Sequence, residues 1–124
     1  MSQSAPSIVI YLAEGLNGTR VLREVLKGVE EESIPVEIVS STTDNAVSLA
    51  YQGAQQSGLE VGIGIDRKNN LAVHYRKLPP ENPLFLLDYT KSFEEVKSTS
   101  ANAARLVKNT PFLETKNARH ERPR

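Results

Sequence analysis

The sequence LREVLKGVEEESIP, residues 22–35, decides the fold. Its apolar residues recur at the three- and four-residue spacing of a helix with one buried face: Leu22, Val25, Leu26 and Val29. Pro35 cannot continue a helix, and its ring disfavours helical backbone at the residue before it. The stretch therefore predicts an amphipathic helix that ends before Pro35 and leads into extended chain.

Strands are predicted on both sides of this helix. Ile8–Leu12 (IVIYL) is an unbroken apolar run, typical of a strand that helices cover on both faces. Val36–Val39 (VEIV) follows the proline and predicts the second strand. A strand, a helix and a strand within about thirty residues make a βαβ unit. The first part of the chain thus predicts an α/β fold.

Two further helices are predicted. Residues 42–44 (TTD) offer oxygens that can cap a helix running to about Gln56. Ser100 is the expected cap of a closing helix over residues 101–108, which Pro111 ends. The charged, weakly patterned segment before Ser100 predicts a loop with one helical turn.

Three more strands are predicted from the apolar runs at residues 59–65, 71–75 and 84–87. A polar turn at residues 66–70 joins the first two, which could form a hairpin. Gly62 and Gly64 suggest that another backbone approaches the third strand closely. The expected architecture is α/β: a single three-layer domain with a mostly parallel sheet flanked by helices.

The composition indicates one domain without a bulk charge. The 124 residues suffice for one core, and the 15 basic residues balance the 15 acidic ones, so no net field draws the chain to nucleic acid or to a membrane. No segment approaches the ~20 apolar residues of a membrane span, and the lack of cysteine excludes disulfides and thiolate chemistry. We expect a cytoplasmic protein with a domain at residues 7–114, a flexible N-terminus at 1–6 and a flexible tail at 115–124.

Few residues qualify as catalytic groups. The histidines are His74, in a strand, and His120, in the tail, so no metal-binding pair or Ser/His/Asp set is apparent. The loop at residues 15–18 (GLNG) lies where a phosphate-binding turn would, but it lacks the Walker lysine and a GxGxxG motif. Asp66 lies at the carboxyl end of the third strand, the edge where α/β sheets place ligands. Together these residues favour a binding or interaction domain over an enzyme.

The acidic end of the first helix is the unusual feature. Glu30, Glu31 and Glu32 lie at a helix C-terminus, where each carboxylate costs about 0.3 to 1 kcal/mol. One interpretation is that these side chains are simply solvated. The other is that one of them reaches a basic partner surface or a metal ion, since Mg²⁺ prefers carboxylate oxygens. The local sequence leaves both interpretations open.

Several separated segments form a further pattern: REVL at 23–26 leading to EEESIP at 30–35, VGI at 61–63, VHY at 73–75, LP at 78–79, PLF at 83–85, NAARLVK at 102–108 and PF at 111–112. Their order and spacing resemble the small subunit of the diol and glycerol dehydratase reactivating factors. The resemblance extends from about Ala5 to Leu113 and implies a fold similar to the middle subunit of diol dehydratase.

The resemblance implies a non-catalytic subunit of a chaperone-like, ATP-dependent factor. The large partner subunit would bind ATP or ADP, and two large subunits would pair with two small ones. The complex would associate with inactivated adenosylcobalamin-dependent diol or glycerol dehydratase and release damaged cobalamin by subunit exchange. A bacterial microcompartment within the cytoplasm is then a further candidate location.

The resemblance also implies that Glu31 is a ligand of a Mg²⁺ shared at the interface with the large subunit. Glu30 and Glu32 would then add negative electrostatic potential near the metal without binding it directly. Ser33 departs from the family, which often has Gly there, the residue that best adopts the left-handed turn after a helix. The tail after Leu113 has no counterpart in the family. The alternative function is a flavodoxin-like module that binds cobalamin or another small ligand directly, supported by the α/β pattern and Asp66.

Overall fold

The computed structural model describes residues 5–114, which form five strands and three helices. The strands are β1 (Ile8–Ala13), β2 (Val36–Ser41), β3 (Val61–Ile65), β4 (Asn70–Tyr75) and β5 (Phe85–Asp88). The helices are α1 (Arg20–Glu31), α2 (Ala46–Gln56) and α3 (Phe93–Lys108). None of these helices is both long and apolar enough to cross a membrane. The expected flexible segments, residues 1–6 and 115–124, lie outside the described residues except for residues 5 and 6.

The five strands form one sheet in the order β2-β1-β3-β4-β5. β1 is parallel to both β2 and β3, whereas β4 is antiparallel to β3 and to β5. Only β4 therefore runs against the other four strands. The predicted βαβ unit, the mostly parallel sheet and the hairpin between the third and fourth strands are all confirmed.

The helices lie on both faces of the sheet and give three layers. The larger core cluster joins one face to α1 and α3, and it includes the fully buried Val25, Val29 and Val96. On the other face, Val9 and Tyr11 of β1 pack with Leu49 of α2. All six residues of β1 are buried, as expected of a strand that helices cover on both sides.

The two glycines of β3 let α2 lie directly against the sheet. A Cβ at Gly62 would collide with the backbone of Ala50 and Ala54, and one at Gly64 would collide with the backbone of Ala46 and Ala50. The predicted close approach of another backbone is confirmed, and α2 is that backbone. The close approach also explains the small residues on the buried face of α2, since larger side chains would hold the helix away from β3.

The closing helix is longer than predicted. α3 begins at Phe93, and its cap is Ser92, whose hydroxyl accepts a hydrogen bond from the Glu95 N–H at 3.1 Å. Ser100 is not a cap: it is buried in mid-helix and donates to the Val96 carbonyl at 2.8 Å. The loop predicted before Ser100 was therefore wrong. In the first turns of α3 only Phe93, partly buried, and Val96, fully buried, pack as apolar side chains against the core, so the sequence shows little helical periodicity there.

The predicted cap of α2 was also wrong. The cap is Asn45, whose side chain accepts from the Ser48 N–H at 3.0 Å. Asp44 instead accepts from the Arg67 N–H at 2.7 Å and joins the start of α2 to the β3–β4 turn. The predicted end of this helix at Gln56 is confirmed.

Replacing Gly64 with alanine should destabilise the protein by about 3 kcal/mol, because the new methyl group would push α2 off the sheet. Urea denaturation measures the change. Gln52→Ala, on the exposed side of the same helix, is the control and should stay within about 0.5 kcal/mol of the parent. An equally small effect of Gly64→Ala would show that α2 and β3 are not in this close contact.

Candidate functional site

Helices α1 and α3 run side by side in the same direction. At their N-terminal ends, the Arg20 guanidinium lies 4.3 Å from the centre of the Phe93 ring. At their C-terminal ends, Glu32 forms ion pairs with Arg105 and Lys108. Glu32 thus lies beside the last turn of α3. We call Glu30, Glu31 and Glu32 the acidic end of α1.

Glu32 is held by two cations of the same chain. Lys108 Nζ lies 2.7 Å from Glu32 Oε1 and donates to the Glu32 backbone carbonyl at 3.1 Å, while Arg105 Nε lies 3.0 Å from Oε2. The Glu32 side chain is only 11% exposed. The Lys108 hydrogen bond is the largest cause that lowers the pKa of Glu32, and Arg105 lowers it further against the opposing effect of burial. Part of the positive charge that offsets the three carboxylates therefore comes from the same chain.

Within residues 5–114, Glu31 has one loose ion pair and Glu30 has none. The Glu31 side chain is 58% exposed, and its closest cation is Lys97, with Nζ 3.7 Å from Oε2. Glu30 is exposed, and its carboxylate makes no hydrogen bond or ion pair with the rest of residues 5–114. The acidic end thus contains one glutamate used within the fold and two that point carboxylates at solvent.

A left-handed turn at Ser33 ends the acidic segment. Ser33 has φ +62°, and its N–H donates to the Glu30 carbonyl at 2.9 Å. This conformation suits glycine best, because a side chain crowds the backbone there. The turn expected from the family's glycine is thus present with a serine in its place, and it brings the chain from Glu31 to the start of β2.

The acidic end can supply one metal ligand but not a complete site. Within residues 5–114, no group of three or more histidine, aspartate or glutamate side chains is placed to hold a metal ion. Mg²⁺ is commonly bound by one or two carboxylates and completed by water or phosphate oxygens. The exposed Glu31 carboxylate fits that role, provided that another molecule supplies the remaining ligands. The assignment of Glu31 as a Mg²⁺ ligand stays a prediction.

Sequence reasoning missed the basic residues that face the acidic end: Lys97, Arg105 and Lys108. They follow the glutamates by about seventy residues, so no local pattern links the two groups. One signal was present, since Arg105 and Lys108 lie in the last turn of α3, where cations favour a helix C-terminus.

Asp66 has no free carboxylate oxygen for a ligand. Oδ1 accepts from the backbone N–H groups of Lys68 at 2.8 Å and Asn70 at 2.9 Å. Oδ2 accepts from the Ala46 N–H at 3.1 Å and the Asn70 side chain at 3.2 Å. Because Ala46 opens α2, the buried carboxylate also lies at the positive end of that helix. Asp66 therefore gives no support to the small-ligand alternative.

His74 is a buried structural residue. Its ring nitrogens each lie 3.1 Å from a backbone carbonyl oxygen, one of Tyr75 and one of Pro80. The ring packs edge-on against Tyr51, with 5.2 Å between the ring centroids. These contacts hold the proline-rich loop after β4 against the sheet. The other histidine, His120, lies outside the described residues.

The glycine loop between β1 and α1 packs onto the fold. Gly15 and Gly18 have φ values of +88° and +82°, and the Gly18 carbonyl accepts a hydrogen bond from Arg23 at 2.7 Å. Leu16 lines a mainly apolar cavity of about 250 Å³ together with Tyr89. Glycine is needed here for these left-handed turns, and the loop serves as a connection between β1 and α1.

Comparison with known proteins places the chain in a family. The family model described as dehydratase medium subunit matches residues 5–113. The diol dehydratase-reactivating factor small subunit of Klebsiella michiganensis is 43% identical over 90% of this chain and 86% of its own length. The propanediol dehydratase-reactivating factor small subunit of Citrobacter freundii is 44% identical, over 90% of this chain and 93% of its own.

Solved structures agree with these relatives. A structure of diol dehydratase-reactivating factor complexed with ADP and Mg²⁺ contains a chain that is 43% identical, with a TM-score of 0.82 over 90% of this chain and 100% of that one. A chain of a glycerol dehydratase reactivase is 27% identical, with a TM-score of 0.83 over 89% of this chain and 98% of that one. The chain belongs to the family of dehydratase-reactivating factor small subunits. The resemblance found in the sequence and the fold expected from it are confirmed.

Glu32→Gln should lower the free energy of unfolding by about 1–2 kcal/mol at neutral pH, because it weakens two charge-assisted hydrogen bonds. The folded protein holds the pKa of Glu32 below its ordinary value of 4.5, so this stabilisation is present above that pH and is lost as the pH falls through the lowered pKa. Denaturant unfolding at pH 7 and at about pH 3 should therefore show a smaller difference between parent and variant in acid.

Glu30→Gln is the matched control for Glu32→Gln, since it removes the same charge from an exposed side chain and should change stability by less than about 0.5 kcal/mol. Equal effects of the two substitutions at pH 7 would show that the contacts with Lys108 and Arg105 do not stabilise the fold.

Ser33→Gly should raise the free energy of unfolding by about 0.5–1 kcal/mol, because glycine adopts the left-handed turn without crowding. Ser48→Gly, in the helical backbone of α2, should instead destabilise by about 0.5 kcal/mol. Thermal or urea denaturation separates the two cases. A loss of stability in Ser33→Gly would contradict the left-handed turn.

Proposed function

We propose that this chain is the small, non-catalytic subunit of a reactivating factor for adenosylcobalamin-dependent diol or glycerol dehydratase. The observation that carries the proposal is similarity over nearly the full length of small subunits from such factors, with 90% of this chain aligned to all of the corresponding chain in one factor structure. The small-ligand alternative has no comparable support, because Asp66 is fully hydrogen-bonded within the fold.

In this proposal the chain acts by binding to other proteins. A large partner subunit binds ATP or ADP, two large subunits pair with two small ones, and the complex associates with inactivated dehydratase. Damaged cobalamin leaves when subunits exchange between the factor and the enzyme. The structure of a related factor with ADP and Mg²⁺ supports the nucleotide and the metal, and the identities of 41–44% to diol or propanediol factors support the class of client. The factor would work in the cytoplasm, including bacterial microcompartments.

The proposal assigns Glu31 to the interface with the large subunit. Glu32 is held by Lys108 and Arg105, so its oxygens are occupied, whereas the Glu31 carboxylate is exposed beside it on the same rigid helix end. When bound, Mg²⁺ would supply a cation shared between the two chains. Because the ligands come from both chains, the affinity of the subunits depends on the metal and on the nucleotide next to it.

Glu31→Gln should weaken Mg²⁺-dependent assembly with the large subunit by at least about tenfold, because a neutral amide is a poorer ligand for Mg²⁺ than a carboxylate. Analytical ultracentrifugation of the two subunits with ADP and Mg²⁺ measures the effect. The isolated variant should unfold at the parent's denaturant midpoint, since the Glu31 side chain is 58% exposed.

Glu30→Gln is the control for Glu31→Gln, since it removes the same charge one residue earlier. Wild-type affinity and wild-type Mg²⁺ dependence in Glu31→Gln would show that Glu31 is not the ligand. Failure of the parent chain to bind any large subunit with Mg²⁺ and nucleotide present would contradict the function itself.

A further inference from the structure

Lys97 is the cation that contacts Glu31 within the described part of the chain. Its Nζ lies 3.7 Å from Glu31 Oε2. Its position on α3 is fixed by backbone packing, because the Lys97 carbonyl lies so close to Gly28 of α1 that a Cβ at Gly28 would collide with it. Glu31 follows Gly28 by one helical turn. The approach of the two helices therefore places Lys97 beside the carboxylate.

This ion pair is much weaker than those of Glu32. The Lys97 side chain is 36% exposed and that of Glu31 58%, and a separation of 3.7 Å is too long for a hydrogen bond. Exposed pairs of this kind contribute little and open readily. Glu32, by contrast, lies 2.7 Å from Lys108 and is 11% exposed. Of the ion pairs at the acidic end of α1, the Lys97–Glu31 pair is thus the one that opens easily.

Lys97 has another carboxylate within reach when it leaves Glu31. A polar cavity of about 320 Å³ between α1 and α3 is lined by Arg20, Glu24, Phe93, Glu94 and Lys97. Glu94 precedes Lys97 by three residues on α3, a spacing that brings two helical side chains together. Glu94 makes no ion pair elsewhere in residues 5–114. The ammonium group can therefore move away without losing a counter-charge.

We infer that Lys97 competes with Mg²⁺ for the Glu31 carboxylate and so sets the Mg²⁺ concentration at which the small and large subunits assemble. The inference rests on the proposed function of Glu31. A carboxylate in contact with an ammonium group is a poorer metal ligand, because the two cations repel each other and the ammonium must first leave. Lys97 is thus a regulatory neighbour of the metal site, and Mg²⁺ displaces it on assembly.

The test is a Mg²⁺ titration of complex formation between this chain and the large subunit, at about 0.05 M ionic strength so that screening is weak. Lys97→Met keeps the length of the side chain and removes its charge. It should lower the Mg²⁺ midpoint by about 1.5- to 5-fold, the range expected for an exposed ion pair. Lys68→Met is the control: Lys68 is exposed in the turn after β3, whereas Glu31 precedes β2 at the opposite edge of the sheet. Its midpoint should match that of the parent.

The double variant Glu31→Gln/Lys97→Met isolates the contact. In the Glu31→Gln background, Lys97→Met should leave the midpoint unchanged, since the competing carboxylate is gone. Equal shifts in Lys97→Met and Lys68→Met, no shift in Lys97→Met, or a shift that persists without the Glu31 carboxylate would overturn the competition while leaving the metal role of Glu31 intact. A parent-like midpoint in Glu31→Gln alone would instead overturn the proposed metal role.

Discussion

The ion pairs of Glu32 with Arg105 and Lys108 are the interaction on which the candidate site depends. α1 and α3 run in the same direction, so their partial negative C-terminal charges lie side by side and repel each other. Lys108 and Arg105 lie in the last turn of α3 and contact the Glu32 carboxylate at 2.7 and 3.0 Å. They offset the repulsion and fix the end of α1 against α3. Glu31 is then presented at the end of a helix that Glu32 holds against α3.

The three consecutive glutamates, which look equivalent in the sequence, have different roles in the structure. Glu32 holds two helices together, Glu31 is exposed with one loose contact to Lys97, and Glu30 faces solvent. Helical geometry explains the division, because successive residues point about 100° apart around the axis, so the three side chains cannot all make the same contacts with α3. Glu30 agrees with the solvated interpretation, whereas Glu32 is paired with cations of its own chain, which neither interpretation predicted. The interpretation that one glutamate reaches a partner surface or a metal ion stays a prediction.

The sequence predicted those parts of the fold that are encoded by local patterns. The apolar run at β1, the proline after α1 and the glycines of β3 each act within a few residues, and each led to the correct element or contact. The first turns of α3 were missed because Val96 is their single fully buried apolar side chain, with Phe93 only partly buried. The partners of the acidic end were missed for a different reason: Arg105 and Lys108 lie 73 and 76 residues from Glu32, and only the folded chain brings them together. The prediction that Glu31 binds a metal came from the family resemblance, because a chain that supplies a single metal ligand has no sequence pattern that reveals it.

A structure of this chain bound to a large reactivating-factor subunit, grown with Mn²⁺ in place of Mg²⁺, is the most direct test of the central claim. Anomalous scattering from Mn²⁺ would locate the metal independently of the side chains. The account predicts a peak within about 2.2 Å of a Glu31 carboxylate oxygen, with Glu32 still bound to Lys108 and Arg105. A metal ligated only by the large subunit, with Glu31 still beside Lys97 and remote from the peak, would contradict it.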